Sequence, residues 1–204
     1  LELMIEAAKN GIRVGSFTEN ILDLYETVNK HAPIGDQRWL IEHIGMYTKD
    51  EITRIKDLNL VLQAYSNRWI HYEGESLRET HGAENVDRIL PMRDLLDAGI
   101  HVALATDNVP PSMFDPIWHV VARKTAESDE PLGTAQALSR MEALACAARE
   151  GAWLSFEEDV KGTLEPGKYA DIAILSDDLL TIPKDYIPNI TSVLTMTVSY
   201  THLR

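Results

Sequence analysis

An α/β architecture resting on a parallel sheet, half of a TIM-like (β/α)8 barrel followed by a short β-rich module, is the fold class this sequence predicts. Three observations predict it. Over the first 110 residues short apolar runs alternate with amphipathic stretches, the rhythm of βα units built on a parallel sheet. The chain opens inside a helical pattern with no strand before it, and only four βα units precede a change of pattern. A closed barrel takes eight strands and about 250 residues, so four units amount to half of one. From Gly162 onward the pattern turns β-rich.

The elements follow in order. Leu1 to Lys9 reads as a helix ending at Gly11 in the manner of a C-cap. Four compact apolar runs bounded by Gly, Asn or Pro are strand candidates: Gly11 to Gly15, Arg38 to Gly45, Leu60 to Tyr65 and His101 to Thr106. Such runs suit strands buried on both faces. Between them, Ile21 to Val28 repeats apolar residues at helical spacing. Thr48 and Glu51 make a capping box for a helix over Glu51 to Leu58, and Pro91 to Asp97 is a further helix. Ser66 to Asp87 is polar without a sustained period and is expected to be a long connection; in a barrel, loops at strand C-termini carry function. Ser112 to Thr125 and Thr134 to Glu150 read as two helices. Tyr169 to Leu175 reads as a strand closed by a turn at Asp177 and Asp178, and Ser192 to Tyr200 as a later strand.

Composition narrows the function classes. With 45% hydrophobic and 25% charged residues the chain has material for one sizeable core. Its formal net charge of −13, from 32 acidic against 19 basic residues, repels phosphate backbones and anionic lipid heads. Nucleic acid and membrane surfaces are therefore excluded as expected partners. No targeting signal is visible, which favours a cytoplasmic setting. The single cysteine, Cys146, sits in an apolar helical stretch and reads as a small core residue.

Two positions carry candidate chemistry. Arg38-Trp-Leu-Ile-Glu-His43-Ile-Gly45 places a histidine at the polar end of an apolar strand, and His101-Val-Ala-Leu-Ala-Thr106-Asp107-Asn108 places a carboxylate directly after another. Taken singly, His43 is more often a structural histidine and Asp107 a turn cap. Found together at equivalent places on two strands, they match the way barrels assemble catalytic groups from strand ends. A histidine nitrogen and a carboxylate oxygen are suitable Zn²⁺ ligands, and a metal-bound water falls toward a pKa of about 7. A carboxylate touching both metal and water is placed to act as general base and then return the proton to the leaving group.

The order of these two segments, followed by a two-helix stretch and then Lys161-Gly-Thr-Leu-Glu-Pro-Gly-Lys-Tyr-Ala-Asp171-Ile-Ala-Ile-Leu175, resembles the amidohydrolase superfamily, and within it the YtcJ-like branch (amidohydrolase family 3). The resemblance runs from about Gly11 to Met196 and covers the C-terminal half of such an enzyme. It implies a metal-dependent hydrolase barrel with part of a small flanking β-sandwich. Residues 1–158 would form strands five to eight with their helices, and 159–204 the β-sandwich return segment, in which Gly162, Gly167 and Asp171 are turn residues. By the same resemblance His43 is the metal-ligand histidine of the sixth barrel strand and Asp107 the metal-binding, proton-shuttling aspartate of the eighth. Gln63, Tyr65 and Ser66 lie near a small-molecule substrate. The implied reaction is hydrolysis of an amide-type C–N bond by water activated on Zn²⁺ or a related divalent metal.

The sequence departs from that pattern at two places. The fifth strand of the branch ends in a histidine motif, whereas Val14-Gly15-Ser16-Phe17-Thr18 has none. His31-Ala-Pro-Ile-Gly35-Asp36 looks like the missing motif but follows a helix and reads as the loop entering the next strand. The end, Ser199 to Arg204, does not resemble the family. The family's first-strand His-x-His pair and its fourth-strand ligand have no counterpart in this chain, so the chain is expected to be a fragment, inactive alone. The alternatives are a degenerate, non-catalytic barrel or binding protein that has lost its metal, and a homo-oligomer in which half barrels pair through open sheet edges. His71, His81, His101 and His119 are given structural or solvated roles, and Trp39, Trp69, Trp118 and Trp153 those of core or loop anchors.

Overall fold

Four short strands pair in sequence order, all parallel. They are β1 (Gly15–Ser16), β2 (Leu40–Ile41), β3 (Val61–Ala64) and β4 (Val102–Leu104). Gly15 lies opposite Leu40, Leu40 opposite Val61, and Leu62 opposite Val102. A computed structural model describes residues 1–17, 20–107, 111–128 and 130–197 of the chain.

The helices between the strands are α1 (Glu2–Lys9), α2 (Ile21–His31), α3 (Lys49–Asp57), α4 (Gly74–His81) and α5 (Met92–Asp97), followed after β4 by α6 (Phe114–Ala122), α7 (Arg140–Ala147) and α8 (Arg149–Leu154). The predicted capping box of α3 is formed: the Thr48 hydroxyl accepts from Glu51 N–H, and the Glu51 carboxylate accepts from Thr48 N–H at 2.7 Å. The strands β2 to β4 are buried on both faces, as a continuous apolar run requires of a parallel sheet. They meet a core in which Tyr25, Trp39, Ile55, Leu62, Met92 and Val102 are fully enclosed. Four consecutive parallel strands with helical crossovers are half of an eight-stranded barrel.

The regular strands are shorter than the sequence predicts, for local reasons. Gly11 takes φ +67° to end α1, which delays β1 to Gly15. Arg38 and His43 both have positive φ, which confines β2 to the two residues Leu40–Ile41. Pairing of β4 spans Val102 to Leu104 and the chain turns at Asp107.

Two helical predictions are corrected. The expected long connection from Ser66 is not irregular: it holds a π-helical turn (Asn67–Tyr72), α4 and a 3-10 turn (Ala83–Arg88). Its helicity escapes the sequence because only Asn67, Ile70 and Gly74 within these helical turns are buried, too few to set a period. The single helix predicted over Thr134 to Glu150 is three pieces. A 3-10 turn (Thr134–Gln136) comes first, Ser139 and Glu142 form a capping box that starts α7, and a break at Ala148 separates α8.

After α8 the chain crosses Gly162 and Gly167, both at positive φ, and forms an antiparallel pair of β5 (Ile172–Leu175) and β6 (Ser192–Met196). A 3-10 turn (Lys184–Asn189) between them packs on α6. Most side chains of this pair are exposed, Val193 at 64% and Ile174 at 53% among them. The last residues of the predicted strand, Val198 to Tyr200, and the atypical end to Arg204 lie outside the described residues, as do Thr18 and Asn108 to Pro110. No described helix is long and apolar enough to cross a membrane.

Candidate functional site

The C-terminal ends of β2, β3 and β4 bring several predicted residues to one edge of the sheet. His43 stands two residues beyond β2 and Asp107 three beyond β4, and both are left-handed, with φ +53° and +57°. Histidine and aspartate tolerate this region better than most residues, yet it still costs free energy that the surroundings must supply. The turn at each position takes the side chain out of the alternation of its strand.

Between them stands Tyr65, directly after β3. Its ring stacks on the His43 imidazole with centroids 4.0 Å apart and planes inclined by 27°. Its hydroxyl donates to Gln63 Oε1 at 3.3 Å. Burial holds the Tyr65 phenol above its ordinary pKa, and the negative charges of Glu42 and Asp107 push it the same way. Tyr65 thus lies within the field of Asp107 while touching His43. Glu42, half-buried beside His43, completes an acidic rim that sequence reasoning missed, although the residue lies inside the Ile-Glu-His segment that drew attention to His43. On the far side, Phe17 follows β1 and sets its ring 5.9 Å from His43. The strand whose histidine is missing from the sequence therefore offers His43 an aromatic ring.

Ser66 is placed elsewhere. It is fully buried, with its hydroxyl 3.4 Å from both the Pro116 carbonyl and His119 Nδ1. It belongs to a cluster under α6, where His71 and His119 stack at 4.8 Å. Burial, and then the neighbouring His71, lower the His119 pKa to about 3, so this imidazole is neutral. His31 is the last residue of α2, exposed and followed by the loop into β2. His101 precedes β4 at the opposite end of the sheet, stacked on Trp153 at 3.7 Å and bonded to Glu150 at 2.6 Å. Cys146 is 2% exposed, and burial pushes its thiol up to about 12, which leaves it without thiolate character.

His43 and Asp107 have the right donor atoms for zinc, but a stable tetrahedral centre takes at least three protein donors. Among the described residues no group of three or more His, Cys, Asp or Glu side chains is arranged to hold a metal ion. The chemistry of the donors fits a metal and their number does not, so no chemical step is derived through one. What the arrangement offers by itself is an imidazole at the end of β2 and a carboxylate beyond the end of β4, with the Tyr65 ring of the intervening strand stacked on the imidazole.

The profile of the Amidohydrolase family matches residues 4–199, and the chain belongs to that family. It is 29% identical over 188 residues to N-substituted formamide deformylase of Arthrobacter pascens, covering 87% of this chain and 34% of that protein. Among solved structures it is similar to an uncharacterized metal-dependent hydrolase of Pyrococcus horikoshii, with a TM-score of 0.70 at 22% identity over 91% of this chain and 39% of that one. It is also similar to the atrazine chlorohydrolase of Arthrobacter aurescens complexed with zinc, with a TM-score of 0.54 at 24% identity over 82% of this chain and 37% of that one. The chain spans about a third of the length of the curated relatives it matches.

Proposed function

We propose that this chain is the C-terminal half of a metal-dependent hydrolase barrel that cleaves amide-type C–N bonds of small molecules. Residues 1–158 contribute the last four strands with their helices, and 159–204 the return segment of the flanking β-module. His43 and Asp107 are the donors that this half brings to a zinc or related divalent ion. Asp107 also takes the proton of the attacking water. Gln63 and Tyr65 line the substrate side of the site. The donors that complete the centre come from outside these residues, so the chain alone is inactive.

One observation carries the reading: His43 and Asp107, on non-adjacent strands, both leave the sheet with positive φ at the same end, and Tyr65 of the strand between them stacks on His43. A relative whose name describes removal of a formyl group from nitrogen supports the bond type. Zinc-bound and metal-dependent neighbours of the same fold support the ion.

The test is a Zn²⁺ titration of the isotope-labelled chain followed by NMR. The expected result is that the His43 ring and the Asp107 backbone signals move together, before those of His71, His81 or His119. Movement at the other histidines while His43 and Asp107 stay still overturns the assignment.

A further inference from the structure

The turn that follows β3 reaches both neighbouring strand ends. Towards β4, Ala105 N–H donates to the Ala64 carbonyl at 3.0 Å. One residue on, the Thr106 carbonyl accepts from Asn67 Nδ2 at 2.7 Å. A side chain only 6% exposed thereby extends the β3–β4 ladder by one position, up to the residue before Asp107. Towards β2, Ile44 N–H donates to the Gln63 carbonyl at 3.3 Å. The next residue, Gly45, lies so close beneath the Trp69 ring that a Cβ there would meet it at 2.7 Å.

Asn67 and Trp69 both belong to the π-helical turn Asn67–Tyr72. Such turns insert one residue into the helical repeat, re-aim side chains, and recur at functional sites. Here the re-aiming sends one side chain of the same turn to each flank. Left-handed aspartate and histidine relax toward ordinary backbone conformations unless neighbouring structure over-determines them. The hydrogen bond to Thr106 falls one residue before Asp107 and the ring on Gly45 two residues after His43, beside the direct contacts of the Thr106 hydroxyl with the Asp107 carbonyl and of the Tyr65 ring with His43.

We infer that Asn67 is a positioning residue, which through the Thr106 carbonyl holds Asp107 in its left-handed conformation, and that Trp69 does the same for His43 through Gly45. The importance of the two targets rests on the donor assignment proposed above; the clamp itself is a statement about backbone geometry.

The experiment compares wild type, Asn67→Leu, Gly45→Ala and Asn29→Ala in the full 204-residue chain. Asn67→Leu keeps the volume and removes the donor. Asn29→Ala is the control: Asn29 Oδ1, in the last turn of α2, accepts from Ile34 N–H of the following loop at 3.0 Å, a part-buried contact remote from the site in sequence. Backbone and Cβ chemical shifts, which report φ, are read at Asp107 and His43, together with the melting temperature. Asn67→Leu is expected to move or broaden the Asp107 signals and leave His43 as it is. Gly45→Ala is expected to do the reverse, and Asn29→Ala to lower the melting temperature without touching either. Asp107 shifts in Asn67→Leu that equal the wild-type values overturn the clamp. Should Asn67→Leu not fold, Asn67→Ser, which cannot reach Thr106 and adds no bulk, is read by the same signals. These signals need no bound metal, so a failed zinc titration leaves the clamp standing, and an intact Asp107 leaves the donor assignment standing.

Discussion

The imidazole of His43 lies face to face with the ring of Tyr65, 4.0 Å between centroids. His43 is on the exit of β2 and Tyr65 on that of β3, so the contact ties these two strand ends alongside the backbone bond from Ile44 N–H to the Gln63 carbonyl. Tyr65→Ala is expected to cost about 3 kcal/mol, as truncation of a buried aromatic does, and to release the His43 ring. Tyr65→Phe keeps the stack and loses only the long bond to Gln63, a cost under about 1 kcal/mol. Chemical denaturation and the His43 ring signals check both. Equal losses in the two variants would show that the hydroxyl, and not the stack, matters.

Asp107 separates strain from chemistry. Asp107→Ala and Asp107→Gly both remove the carboxylate, but only glycine adopts φ +57° without steric cost. The glycine variant is expected to be the more stable by about 1 kcal/mol, while both lose any contribution of Asp107 to zinc affinity. Denaturation midpoints of the pair decide it, and an alanine variant as stable as the glycine one rules out strain at this position.

The pH dependence of stability has two limbs. Tyr25 is fully buried and its hydroxyl donates to the Leu40 carbonyl at 3.1 Å. Burial, and then the charge of Glu42, raise its pKa above the ordinary value. The folded protein therefore keeps a proton that the unfolded chain releases above pH ~10, so stability is intact below that point and falls as pH rises past it. Tyr25→Phe is expected to flatten this alkaline loss. At the acid end, bonds from Arg93 and then Ser139 lower the Glu142 pKa to about 2. That contribution is present above the ordinary carboxylate range near pH ~4.3 and drains as pH falls toward about 2. Glu142 is 36% exposed, so solvent screening holds the contact to about 1 kcal/mol at most. Arg93→Ala is expected to cost that much at neutral pH and nothing at the bottom of the range. Denaturation across the pH range reads both, and a cost of Arg93→Ala that persists in acid contradicts the pairing.

Much of the scaffold was legible in the sequence because it is written locally. Apolar runs mark β2, β3 and β4, and Thr48 with Glu51 marks the start of α3, since each signal lies within a few residues. Ser139 with Glu142 carried the same signal and was absorbed into an overlong helix. Strand ends were legible as positions and not as conformations: nothing in Ile-Glu-His43 announces φ +53°. The helices after Ser66 were hidden because they bury too few residues to leave a period. Glu42 and Asn67 went unassigned, and Trp69 was read only as a core or loop anchor, because what singles them out lies across strands: the pull of Glu42 on Tyr65, the bond from Asn67 to Thr106, and the ring of Trp69 on Gly45. The burial of Ser66 away from Tyr65 follows from the π-helical turn that begins one residue later.

The central claim is that His43 and Asp107 serve one ion. A double-mutant cycle on zinc affinity tests it most directly, with His43→Ala, Asp107→Asn and the pair measured by calorimetry on the full chain. Two groups that share a ligand couple strongly, so each single variant is expected to lose about tenfold or more in affinity, and the double no more than about twofold beyond the weaker single. Independent, additive losses, or an affinity unchanged by either substitution, would contradict a shared site.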